Sequence, residues 1–87
     1  MYKIQYEKTA IQALTKMSPK TASLIQKKIK QVAKNPYSPN NNITKLVSQD
    51  QVYRLRVGDW RVIYKVDNGK LKILVLAIGS RGEIYKK

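Results

Sequence analysis

The chain has 87 residues, 43% of them hydrophobic, which suits one domain with a modest core and is too apolar for a disordered tail. It contains no cysteine and no histidine, which excludes disulfides, thiolate metal sites, cysteine nucleophiles and an imidazole base. Eighteen Lys and Arg against five Asp and Glu give a formal charge of +13, a field that favours polyanions: nucleic acid, an acidic protein or an anionic membrane surface.

Tyr2, Ile4 and Tyr6 alternate with Lys3 and Gln5, the pattern of a half-buried first strand. This opening stretch, MYKIQYEKTA, has no apolar core of a secretory leader, so a cytoplasmic location is expected. Ala10, Ala13, Leu14 and Met17 mark one face of a helix over 8–17. Ser18 as N-cap and Pro19 at the first helical position restart the chain as a second helix over 19–34. Ala22, Ile25, Ile29 and Val32 form its apolar face, and Asn35-Pro36 ends it. The loop NPYSPNNN, 35–42, is rich in turn formers and too short to separate domains, so residues 1–87 are expected to form a single domain.

A weak strand near Ile43 is followed by a stronger one from Val52 to Val57. Gly58-Asp59 suits a tight hairpin turn with glycine first. Trp60 to Val66 forms the next strand, Asn68-Gly69 signals another hairpin turn, and Lys70 to Ile78 forms the last strand. The run Ile73–Ile78 is apolar throughout, which predicts a central strand covered on both faces. At six residues it is far short of the roughly 20 needed to cross a membrane. The expected fold is α+β: two antiparallel N-terminal helices packed on one face of a mostly antiparallel sheet of four to five strands, in the order β-α-α-β-β-β.

The hairpin turn sets a register. With Gly58-Asp59 at the tip, Val57 faces Trp60, Arg56 faces Arg61, Leu55 faces Val62, Arg54 faces Ile63 and Tyr53 faces Tyr64. Opposed residues share a face and faces alternate along a strand. Tyr53, Leu55, Val57, Trp60, Val62, Tyr64 and Val66 then make an apolar face for the helices, and Trp60, Val62, Tyr64, Ile73 and Val75 are expected beneath them. Arg54, Arg56 and Arg61 stand together on the other face.

That placement needs a cause. The first 34 residues carry eight lysines and no arginine, whereas all four arginines lie between 54 and 81. Lysine decorates a helix as a solvated point charge; arginine offers a planar fork that matches phosphate. Two unit charges ~6 Å apart repel by roughly 1 to 3 kcal/mol, depending on the local dielectric. Neighbouring Ile63, Leu74 and Leu76 make the face too apolar to be merely wetted. An anionic ligand accounts for both features.

The string YRLRVGDWRVIY, followed by IGSRGEIY, resembles the RelE/ParE superfamily of bacterial toxins, with the closest likeness to RelE-type ribosome-dependent mRNA interferases. The likeness runs over almost the whole chain. It implies the toxin of a toxin–antitoxin pair that cuts mRNA in the ribosomal A site without metal or cofactor: the 2′-hydroxyl attacks the adjacent phosphorus and the 5′-oxygen leaves. By this resemblance Arg54 and Arg56 grip the RNA backbone, and Arg56 also stabilises the transition state. Arg61 and Arg81 contact the scissile phosphate, and Lys45 matches a further RNA-binding position. Tyr85 matches a tyrosine that stacks on a base and takes part in acid–base chemistry. The implied partners are an acidic antitoxin, the ribosome and mRNA, with no membrane.

Two departures from the pattern stand out. Many relatives place histidine directly before the last arginine, where this chain has Ser80, and no C-terminal helix is expected after Tyr85. The dispersed carboxylates Glu7, Asp50, Asp59, Asp67 and Glu83 offer no obvious metal site or acid/base pair. Without histidine, the proton carrier would be Tyr85, a lysine or a group of the ribosome. Surrounding guanidinium groups would lower the tyrosine's pKa. Two other functions fit the same basic fold: a ParE-like inhibitor of DNA gyrase, and a non-catalytic module that binds RNA or an acidic partner.

Overall fold

The computed structural model describes residues 1–46 and 50–80. Strand β1 (Lys3–Tyr6) is followed by helices α1 (Lys8–Lys16) and α2 (Pro19–Lys34), then by strands β2 (Ile43–Lys45), β3 (Val52–Val57), β4 (Trp60–Asp67) and β5 (Lys72–Ser80). The five strands form one sheet in the order β1-β5-β4-β3-β2, antiparallel except for the β1–β5 pair. The α+β architecture is as expected, with five strands.

The break between the helices is a local capping event. Ser18 has extended backbone angles, and its hydroxyl oxygen accepts from the Thr21 backbone N–H at 3.2 Å, satisfying a donor that helix geometry leaves unpaired. Pro19 follows at the first position, where its missing N–H costs nothing. Both helices turn apolar stripes onto the sheet: Ala10 from α1, and Ile25, Ile29, Val32 and Ala33 from α2. They meet Leu55, Val57, Val62, Tyr64, Val66, Ile73, Val75 and Ile78 in one core, with Ala13, Leu14, Met17, Ile4 and Tyr6 packed around it. Full burial of each large aliphatic side chain contributes about 1.5 to 3 kcal/mol.

The hairpin register is the expected one: Val57 pairs with Trp60, Arg56 with Arg61, Leu55 with Val62, Arg54 with Ile63 and Tyr53 with Tyr64. Gly58 has φ of +58°, whereas Asp59 does not enter the positive-φ region; this is the type II′ combination that calls for glycine first. Val62, Tyr64, Ile73 and Val75 are fully buried as expected, but Trp60, beside the turn, is only half-buried. Val52 shares the parity of the arginines and is nonetheless buried, outside the helix-side cluster.

Two expectations are corrected, and a bulge is added to them. Asn68-Gly69 does not make a tight two-residue turn: Asp67 pairs with Lys72, leaving a four-residue loop that ends at Leu71 in the left-handed region (φ 50°). The Asp67 side chain accounts for the longer loop, because its Oδ1 accepts from the Lys70 backbone N–H at 3.1 Å. β5 does lie inside the sheet between β1 and β4, but it is not covered on both faces; Leu74, Leu76 and Ala77 remain half-exposed. Finally, β5 carries a bulge. Ile63 pairs with Ala77 while Tyr64 pairs with Val75, so Leu76 is the extra residue.

Candidate nucleic-acid interface

The bulge decides what stands beside the arginines. Strict alternation from Ile73 would set Ile78 opposite Arg61. The extra residue instead turns Ile78 to the core, paired with Val62, and sets Gly79 opposite Arg61. The row Arg56–Arg61–Gly79 therefore runs across three strands with two guanidinium side chains and no side chain beyond them. Arg54 occupies the next row of the same face, with Thr44 on one side and Ile63 and Ala77 on the other.

The guanidinium groups of Arg61 and Arg56 are held by neutral acceptors. Arg61 Nη1 donates to the carbonyls of Gly58 at 3.1 Å and Trp60 at 3.2 Å, folding the side chain toward its own turn. Arg56 Nη2 donates to Asn42 Oδ1 at 3.2 Å, and the Arg56 backbone N–H donates to the Asn42 carbonyl at 2.8 Å. Such contacts orient the groups without neutralising them. Each guanidinium has five N–H donors, so these bonds engage part of each fork. Asn42 and Gly79 escaped the sequence reading. Asn42 lies in a polar loop with no pattern, and Gly79 gains its place through the bulge.

Lys45 does not join this group. Its register partner is Tyr53, so it shares the face of Ile43 and Leu55 rather than that of the arginines. It lines a separate cleft of about 280 Å³ with Pro36, Tyr37, Ile43 and Tyr53. Here Tyr37 meets Tyr53 edge to face at 6.4 Å, and Tyr53 stacks on Tyr64 at 5.6 Å. Burial pushes the Tyr64 phenol well above its ordinary pKa, with neighbouring Tyr53 and Tyr37 adding to the shift. Tyr53 shifts upward from burial first, then from Tyr37 and Asp50. Neither is poised to lose a proton near neutrality.

Ser80 ends β5 opposite Trp60. Arg81 and Tyr85 lie outside the described residues. Arg54, Arg56 and Arg61 are three cations on one open sheet face, at the end where the β3–β4 turn brings two of them directly opposite each other. Such a site can bind phosphate groups and stabilise added negative charge on them.

Among solved structures, the chain is similar to one from the archaeal RelE–RelB complex of Pyrococcus horikoshii OT3, at 25% identity and a TM-score of 0.80, covering 94% of this chain and 97% of that one. It is also similar to a chain of the intact E. coli RelBE toxin–antitoxin complex (21% identity, TM-score 0.79, covering 92% and 96%). The isolated E. coli RelE toxin has the same fold (22% identity, TM-score 0.79, covering 98% and 92%). No curated protein matches the chain. A family model described as the ParE toxin of the type II toxin–antitoxin system parDE matches residues 4–85. With nearly the whole chain matched, this protein belongs to the ParE toxin family, within the RelE/ParE superfamily and with the RelE type of fold.

Proposed function

We propose that this chain is the toxin of a type II toxin–antitoxin pair and acts as a ribosome-dependent endoribonuclease on mRNA in the A site. The observation that carries the proposal is the open-face cluster of Arg54, Arg56 and Arg61, with Gly79 leaving space beside Arg61. In the reaction, the RNA 2′-hydroxyl loses its proton and forms a bond to the adjacent phosphorus. The bond from phosphorus to the 5′-oxygen breaks, and that oxygen takes up a proton. Charge grows on the phosphoryl oxygens at the transition state, where Arg56, Arg61 and Arg81 would act, while Arg54 would hold the strand. Tyr85 would stack on a base and move a proton. No metal or cofactor is assigned a part. The cognate antitoxin would be acidic, in keeping with the charge of +13 and with the RelB complexes of the similar structures. Translating ribosomes place the work in the cytoplasm.

Single-turnover cleavage of mRNA on programmed ribosomes tests this directly. Arg61→Ala should lower the cleavage rate constant by about 10²- to 10³-fold while ribosome binding changes little, because the contact matters most in the transition state. Wild-type protein that never cuts ribosome-bound mRNA would overturn the proposal. The ParE family match favours a second reading, inhibition of DNA gyrase. A supercoiling assay separates the two: gyrase inhibition with intact mRNA selects the second.

A further inference from the structure

The basic face continues beyond the arginines. Along β4 from Arg61, the same parity brings up Ile63, Lys65 and Asp67, opposite Ala77, Leu74 and Lys72 of β5. β1 extends these rows with Gln5 beside Leu74 and Lys3 beside Lys72. A cavity of about 240 Å³ opens there, lined by Gln5, Lys65, Asp67, Lys70, Lys72 and Leu74. Lys72 Nζ donates to Gln5 Oε1 at 2.9 Å, so a neutral side chain orients one of its ammonium groups. The lone carboxylate is tied to its own loop, Asp67 Oδ1 accepting from the Lys70 N–H. Three ammonium groups thus face one carboxylate.

The sheet also repeats an unfavourable motif here. Lys3 stands directly opposite Lys72, a like-charge cross-strand pair at the far end of the face that carries Arg56 opposite Arg61. The Arg56–Arg61 pair destabilises the free protein, the Lys3–Lys72 pair less so because Asp67 stands on the other side of Lys72, and an anion lying over the face relieves both. Lys65 is four residues from Arg61 along one strand, about 13 Å, a span that a single nucleic-acid strand crosses in a few nucleotides. The cavity is smaller than the roughly 300 to 1,000 Å³ of small-molecule sites. Its cations are lysines, compact charges on flexible stems that follow a backbone without demanding the fork geometry of arginine.

We infer that this cavity is a second phosphodiester subsite for single-stranded RNA, taking the backbone a few nucleotides away from the phosphate at the arginines. The inference rests on the open face being the RNA-binding face. The test is titration of the full chain with a fluorescent single-stranded dodecaribonucleotide over a series of salt concentrations. The combined Lys65→Gln, Lys70→Gln and Lys72→Gln variant should bind at least about tenfold more weakly near 0.1 M salt, with a log–log salt slope shallower by about two, as expected when three lysines no longer displace counterions. Arginine at all three positions should restore binding. Lys27→Gln, Lys28→Gln and Lys30→Gln together remove the same charge from α2 and should cost less than about threefold. Equal losses from the two glutamine triples, or no loss from the first, would overturn the subsite and leave the arginine face intact. Unchanged binding by an Arg56→Gln/Arg61→Gln variant would instead strike the underlying reading, and absence of binding by the wild type would overturn both.

Discussion

On the helix side of the β3–β4 hairpin, Leu55, Val57, Val62, Tyr64 and Val66 expose at most 7% of their surface; on the other side Arg56 is exposed, and Arg54 and Arg61 are partly so. The same two strands build both faces, residue by residue in alternation. Fold and ligand recognition are therefore written at the same spacing and out of phase. A slip of one residue would bury the arginines and expose the core, so a strict register protects both at once. The faces differ in what they tolerate. One is closed by helices and intolerant of lost volume; the other carries like charges that oppose its own stability.

Adjacent residues of β5 give the sharpest test of this contrast. Ile73 is fully buried on the helix side and Leu74 is half-exposed on the open side. Ile73→Ala should cost about 2 to 5 kcal/mol in urea unfolding, and Leu74→Ala less than about 1 kcal/mol. Equal losses would mean that the open face is as tightly packed as the core.

Tyr64 probes the closed face more gently. Its hydroxyl is buried without a hydrogen-bond partner among the described residues. Tyr64→Phe removes that unsatisfied group and should stabilise the fold by about 1 kcal/mol at neutral pH. The folded-state pKa is raised, so the stability tied to the neutral phenol is fully present below the unfolded tyrosine value near 10 and is lost as pH rises above it. Alkaline unfolding of the wild type should therefore steepen above about pH 10, and the phenylalanine variant should flatten it. Destabilisation by Tyr64→Phe would reveal a hydrogen bond to the phenol.

The smallest effect belongs to the open face. Arg56→Gln removes one member of the Arg56–Arg61 pair while keeping a side chain that can reach Asn42. It should stabilise the fold by a few tenths of a kcal/mol, roughly the scale of cross-strand pairs. That gain should vanish near 1 M salt, where screening acts over about 3 Å. Thermal melts of both proteins at low and high salt check it, and destabilisation at low salt would show that the pair is not repulsive.

Sequence patterns exposed the helices, their Ser18–Pro19 junction and the β3–β4 register because each has a local cause: a cap, a proline, a glycine able to take positive φ. The bulge in β5 had no such mark. Ile73 to Ile78 is apolar at every position, so alternation is silent about where an extra residue enters. The Asn68-Gly69 turn was misjudged because the carboxylate one position earlier captures the Lys70 N–H and holds the loop open. The lysine cavity depended on that loop and on β1, neither of which hairpin reasoning places. Lys45 matched by position along the chain, but the pairing of β2 set it on the other face. Arg54, Arg56 and Arg61 were found because a turn of known length needs no tertiary information.

The parallel pairing of β1 with β5 also constrains how the molecule is born. Gln5 and Lys72 touch across 67 residues of chain, and Glu7 N–H donates to the Val75 carbonyl at 2.9 Å. During synthesis the first strand emerges early but has no neighbour in the sheet until the last strand has followed it. The helices can form meanwhile, yet the surface they must cover is incomplete. Closing so long a loop before its contacts repay the entropy makes folding slow for a domain of this size. The arginine hairpin of β3 and β4 can pair locally, but the sheet behind it is completed only when β1 meets β5.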